Sequence, residues 1–155
     1  MLVLRGFHRF RGARRGIGYA VANAFAQCGA DLHIVSQGAD IHDAAATLQA
    51  QTGRNVKAWQ CDITDADRVD DVFAQVGPLD VFVANAGLEA VTPIDDRSDE
   101  AATRFRRVID INVNGTYLTT RAAVPLMGKG GRIIITASIW GSTAVPELSA
   151  YVASK

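Results

Sequence analysis

The sequence predicts an α/β fold, a doubly wound parallel sheet with helices on both faces. Three observations predict it. From residue 17 onward, short apolar runs alternate with stretches of helical periodicity, as strands joined by crossover helices do. One run, Leu79-Asp80-Val81-Phe82-Val83-Ala84, is nearly all apolar, which suits a strand covered on both faces. A glycine-rich turn, Gly12-Ala13-Arg14-Arg15-Gly16-Ile17-Gly18, stands directly before the first helical stretch. Right-handed crossovers then lead to strand order 3-2-1-4-5.

The elements follow in order. Residues 16–28 are alanine-rich, with Ile17, Ala20, Val21, Ala24 and Phe25 at helical spacing. Residues 31–35 read as a strand, and residues 41–51 as a helix stopped by Gly53. Residues 55–60 form a strand carrying Val56, Ala58 and Trp59. Residues 66–76 form a helix with Asp65 or Thr64 near its cap and Gly77-Pro78 as its stop. After the apolar strand, residues 88–98 are a loop whose Asp95, Asp96 and Arg97 charges sit in water. Residues 99–127 read as one long helix, with Phe105, Val108, Ile109, Ile111 and Val113 facing inward, broken by Gly128-Lys129-Gly130-Gly131. Residues 131–137 are the last strand, and Leu148 opens the last helix.

Composition bounds the function. The 155 residues are 48% hydrophobic, enough for a sizeable core, and read as one domain over residues 1–155. Sixteen basic and 16 acidic residues balance, which offers nothing to nucleic acid or an anionic membrane. No apolar run approaches the ~20 residues of a membrane span. The arginine-bearing start lacks the apolar core and cleavage site of a secretory signal, so the cytoplasm is the expected location. Cys28 and Cys61 form no C-x-x-C pair and read as small core residues in a reducing compartment. His8, His33 and His42 have no metal-ligand spacing, and no metal is expected.

Chemistry concentrates at Ser138 and in Tyr151-Val152-Ala153-Ser154-Lys155. Residues four apart share a helix face, so the Tyr151 phenol and the Lys155 ammonium lie on one side. A phenol ordinarily titrates near ~10, and an adjacent cation favours its ionised form. Such a tyrosine can exchange a proton with a carbonyl or alcohol oxygen near neutral pH, and Ser138, where a strand ends, can hydrogen-bond the same oxygen. Y-x-x-x-K alone is common, however, and also fits an ordinary surface helix. The glycine turn is equally weak alone, though its place before a helix suits a pyrophosphate held on free backbone N–H groups.

Taken together, the Gly12–Gly16–Gly18 turn, Asp62 in Cys61-Asp62-Ile63, Asn85-Ala86-Gly87 after a strand, Asn112 and Ser138…Tyr151-x-x-x-Lys155 carry a resemblance. From about Gly12 to Lys155 the chain resembles the short-chain dehydrogenase/reductase family, in its ordinary rather than its extended branch. The resemblance implies a Rossmann-like domain in which Gly12, Gly16, Ile17 and Gly18 meet the dinucleotide phosphates. It implies that Asp62, with Ile63 beside it, binds the adenine amino group, and that Asn85, Ala86 and Gly87 flank the adenosine ribose. Tyr151 then acts as general acid or base, Lys155 lowers its pKa and contacts the nicotinamide ribose, Ser138 polarises the substrate oxygen and Asn112 supports a proton relay. The implied reaction is hydride transfer between a nicotinamide cofactor and a carbonyl or alcohol of sugar, polyol or 3-oxoacyl type, in a homo-oligomeric parent protein.

Cofactor choice depends on the residue ending the second strand, where an acid would bind a ribose 2′-hydroxyl. Val35 is followed by Ser36-Gln37-Gly38 with no acid before Asp40, and Arg15 stands where the family often meets a 2′-phosphate. An arginine fork suits that anion, so NADP is favoured over NAD. Two further expectations depart from the family. The charged approach Gly6-Phe7-His8-Arg9-Phe10-Arg11 does not suit a mid-sheet strand, Leu2-Val3-Leu4 stands too far upstream to feed the turn directly, and an altered start or reading frame is expected there. The sequence also stops on Lys155, before the family's final strands, so the alternative is a C-terminally incomplete, non-catalytic fragment that binds a dinucleotide at most.

Overall fold

The computed structural model describes residues 2–4, as backbone, and residues 16–155. Five parallel strands form one sheet in the order β3-β2-β1-β4-β5, the predicted 3-2-1-4-5. The strands are β1 (Leu2–Leu4), β2 (Leu32–Ser36), β3 (Val56–Gln60), β4 (Leu79–Ala84) and β5 (Met127–Ile135). The helices are α1 (Ile17–Gln27), α2 (Ile41–Thr52), α3 (Ala66–Phe73), α4 (Asp99–Ile109), α5 (Thr116–Ala123) and α6 (Ser149–Ser154).

The expectation for the central strand is corrected. Leu2–Leu4 takes the mid-sheet place, with Val3 opposite Ile34 on one side and Val83 on the other. An apolar triplet can be enclosed by two neighbours without leaving a charge unpaired, which the arginine-bearing stretch at residues 6–11 cannot. Gly12 and Arg15 lie outside the described residues.

Each face of the sheet has its own core. Leu32, Ile34, Val56 and Val83 pack with Ala22, Ala26, Ile41, Ala44 and Leu48 of α1 and α2. On the other face Val35, Leu79, Phe82 and Ala84 meet Val69, Val72 and Phe73 of α3 and Ala123 of α5. Phe73 and Phe82 meet edge to face at 6.1 Å, the arrangement aromatic quadrupoles prefer. Local signals end the helices as expected. Asp65 accepts from the Arg68 N–H at 3.0 Å to cap α3, and Gly53 closes α2 in the left-handed region at φ 67.

The long helix expected at residues 99–127 is not continuous. Between α4 and α5 the backbone widens into a π-helical segment, Asp110–Gly115, and after Ala123 it tightens into a 3₁₀ turn, Val124–Leu126, that includes Pro125. Val108 is fully buried, but Phe105 and Val113 are exposed. The glycines at 128–131 belong to β5 instead of separating helix from strand. They absorb a bulge there, because Leu79 pairs with Met127 while Val81 pairs with Arg132. Gly130 takes φ 97 within it.

Candidate active site

All strands run the same way, so the ends of β2, β3, β4 and β5 and the start of α1 lie at one edge of the sheet, where ligands of doubly wound folds bind. Gly16 precedes α1 at φ 139, a conformation side chains rarely adopt, and Ile17 is exposed just after it.

The chain leaves β4 through Asn85, Ala86 and Gly87. Asn85 Oδ1 accepts from Thr136 Oγ1 at 3.1 Å, which ties the end of β4 to the end of β5. A Cβ on Gly87 would lie 3.5 Å from both Asn112 Oδ1 and Lys155 Nζ, so the bare glycine brings the chain against two expected site residues. Asn112 lies within the π segment, 5% exposed. Its Oδ1 accepts from the Leu88 N–H at 2.7 Å, and its Nδ2 donates to Leu88 O at 2.9 Å and to Ser154 Oγ at 2.7 Å. One side chain thereby holds the loop after β4 and the last turn of α6. Wide helical turns are frequent at functional positions, and here the widening accompanies an amide that faces two other elements.

Lys155 follows α6. Its Nζ donates to Thr136 O at 3.0 Å and lies 5.7 Å from the centre of the Tyr151 ring. Burial disfavours the charged form and holds the ammonium pKa below the ordinary lysine value. Ser138 Oγ accepts from the Trp140 N–H at 3.2 Å and opens a 3₁₀ turn, Ile139–Gly141. A Cβ on Gly141 would come within 2.5 Å of the Lys155 carbonyl oxygen, so this turn packs directly on the end of α6.

Asp62 forms a second group at the end of β3. Its Oδ1 accepts from the Thr64 N–H at 3.0 Å and Thr64 Oγ1 at 2.8 Å, and its Oδ2 from Gln37 Nε2 at 2.8 Å and Arg107 Nη2 at 2.9 Å. Burial works against the anion, but the Thr64 and Arg107 donors outweigh it and hold the carboxyl below its usual range. Ser36, 2% exposed, stands at the end of the adjoining strand and receives the Gly38 N–H on its hydroxyl. Ile63 links the two groups, since a Cβ on Gly115 of the π segment would come within 2.6 Å of its Cδ1 and Cγ1.

Asn85, Gly87, Asn112, Tyr151 and Lys155 are therefore drawn together, while Ser36, Asp62 and Ile63 form the neighbouring group. Sequence reasoning missed Thr136, Ser154 and Arg107. Thr136 and Ser154 act through backbone or hydroxyl groups that carry no motif, and Arg107 is one of several arginines on α4. Gly115 did carry a signal, because an isolated glycine inside a helical pattern points to close packing.

The model of the short chain dehydrogenase family matches residues 10–155. The chain belongs to this family. It is 37% identical over 147 residues to the oxidoreductase asL5 of Sarocladium schorii, covering 93% of this chain and 58% of that protein. It is 34% identical over 152 residues to the sorbose reductase SOU1 of Candida albicans, covering 93% of this chain and 54% of the relative. Among solved structures, a short chain dehydrogenase from Mycobacterium smegmatis superposes with a TM-score of 0.84 at 32% identity, over 99% of this chain and 64% of that one. BdcA in complex with NADPH gives 0.78 at 33% identity, over 99% and 58%. The chain thus spans between half and two thirds of the length of these short-chain dehydrogenase relatives.

Among the described residues no helix is long and apolar enough to cross a membrane, and no cluster of His, Cys, Asp or Glu is arranged to hold a metal.

Proposed function

We propose that this short-chain dehydrogenase catalyses NADP(H)-dependent interconversion of a carbonyl and an alcohol on a small sugar- or polyol-like substrate. The carrying observation is the Lys155 ammonium, partly buried on the Tyr151 ring and anchored by Thr136 O. With this cation beside it, the Tyr151 phenol is suited to give a proton to the substrate oxygen in reduction and take it back in oxidation. Ser138, at the mouth of the Ile139–Gly141 turn, holds that oxygen by its hydroxyl. Asn112 fixes the π segment, the loop after β4 and α6 relative to one another, which keeps Tyr151 and Lys155 in register.

The residues present fit a dinucleotide. Gly16 and Gly18 at the start of α1, with Ile17, suit the phosphates, and the side-chain-free Gly87 lets the chain pass close to Lys155, which suits a ribose hydroxyl. The nicotinamide ring supplies or accepts the hydride when bound. Asp62 suits an adenine amino group, which would take the place of the Gln37 amide on Oδ2, since the carboxylate's ~four acceptor positions are all engaged. Ser36 in place of an acid at the end of β2, with Arg15 in the turn, supports NADP over NAD. The likeness to a sorbose reductase supports the substrate class, and Leu88, Glu89 and Ala90 after β4 and Trp140 after Ser138 are suited to line its approach.

A second reading, nucleotide binding without turnover, is favoured by β5, the edge strand next to β4, whose Ile133, Ile134 and Ile135 are 42%, 47% and 55% exposed. Thermal unfolding of the chain with and without NADPH, paired with a turnover assay on ketoses and polyols, separates the two. A rise in Tm with turnover supports the oxidoreductase, a rise without turnover supports the binding protein, and no rise overturns both.

A further inference from the structure

α6 begins without a cap of its own. Leu148 occupies its N-cap position and offers no side-chain oxygen, and the first turn carries no acid. The opening N–H groups of a helix have no partner inside it, and a helix of six residues is not stable alone. Something outside α6 must therefore hold its start.

Thr92, in the loop after β4, is 2% exposed and does this with backbone and side chain together. Its N–H donates to Glu147 O at 2.6 Å, and its carbonyl accepts from Ser149 N at 3.3 Å and Ser149 Oγ at 2.5 Å. Its hydroxyl oxygen accepts from the Ala150 N–H at 3.0 Å, as an N-cap oxygen would, although it comes from 58 residues away. The chain enters this clasp through Glu147 at φ 65, a left-handed conformation. At its other end α6 is held by Asn112 on Ser154 and by Thr136 on Lys155. Asn112 also grips Leu88, so both ends of α6 are tied to one loop. Tyr151 directly follows the capped residue, and a shift of the cap rotates the phenol.

We infer that Thr92 is a positioning residue for the Tyr151–Lys155 pair, its hydroxyl serving as the N-cap of α6 from the loop after β4. This rests on the reading of Tyr151 as the acid–base group. Serine offers the same oxygen, whereas valine keeps the shape and leaves the buried Ala150 N–H without an acceptor.

The test compares Thr92→Val and Thr92→Ser with the unaltered chain by amide hydrogen exchange and by NMR titration of the Lys155 side chain. In Thr92→Val, protection over residues 150–155 is expected to fall by about tenfold or more, and Lys155 to titrate nearer its ordinary value as α6 loosens. Phe82 and Val83 amides in β4 should stay protected, and Thr92→Ser should behave like the parent. Where turnover is measured, kcat should fall by roughly ten- to a hundredfold in Thr92→Val with the nucleotide KM little changed. Unchanged exchange over α6 and an unmoved Lys155 titration in Thr92→Val overturn the proposal. If Thr92→Val fails to fold, Ser149→Ala removes only the two contacts of the Ser149 hydroxyl with Thr92, and the same loss confined to α6 supports the clasp while its absence overturns it. Turnover surviving Tyr151→Phe instead sinks the acid–base reading, and the exchange result then still decides the cap.

Discussion

At the scale of single residues, burial and one or two donors decide the protonation states. Lys155 has lost water on burial, and although its ammonium donates to the Thr136 carbonyl, its folded pKa lies below the ordinary lysine value. The strain of holding it charged is present at neutral pH and is relieved as pH rises through that folded value. A stability cost beside the candidate active site is what a functional lysine is expected to carry. His33 shows the same effect without a site. It stacks on Trp59 at 5.9 Å, receives the Trp59 Nε1–H on Nδ1 at 3.0 Å, and is pushed down to about 4, by burial first and the nearby Lys57 charge second. Its folded pKa is depressed, so the neutral form belongs to the fold. The contribution is full above the unfolded value near 6.5 and is lost as pH falls from there towards 4. His33→Gln keeps an acceptor for Trp59 but does not titrate, so urea midpoints measured between pH 7 and 4.5 should fall less steeply in that variant. Parallel pH slopes in the two proteins would contradict the assignment.

At the scale of elements, the segment from Asp99 to Leu126 shows what a periodic pattern reveals and what it leaves out. The pattern identified a helix, its start after Ser98 and the buried Val108. It could not show the π segment, because widening by one residue per turn costs little in periodicity and is decided by what Asn112 and Gly115 touch. Gly115 sits where a Cβ would collide with Ile63 at 2.6 Å. For Gly115→Ala, helix propensity favours alanine by about 1 kcal/mol, while overpacking a filled interior costs about 1–3 kcal/mol. Ile63 is buried, so the second effect wins. Chemical denaturation should show a net loss of up to about 2 kcal/mol for Gly115→Ala, partly recovered when Ile63→Val is added. A stabilised Gly115→Ala would mean that the π segment has room to close. The glycines at 128–131 misled for a related reason, since glycine that ends a helix and glycine that bulges a strand look alike until the partner strand is known.

At the scale of the whole molecule, strand order was readable because alternation of strands and helices, with right-handed crossovers, leaves few alternatives. The central strand was not, because its three residues are separated from α1 by the charged stretch, and only pairing with Ile34 and Val83 distinguishes Leu2–Leu4. The candidate site residues stand out in the sequence as types at spacings. Their supports do not, because Thr92, Thr136 and Leu88 act through backbone groups and hydroxyls that any loop possesses. The architecture brings the ends of four strands, the π segment and α6 to one edge, where the proposed chemistry puts Tyr151 to work beside Lys155. Tyr151→Phe tests it most directly, with NADPH-dependent ketose reduction and the NADPH-induced rise in Tm measured on the same preparation. The expected result is loss of turnover by ~10²–10⁴-fold with the rise in Tm retained. Turnover within a few-fold of the parent chain would contradict it.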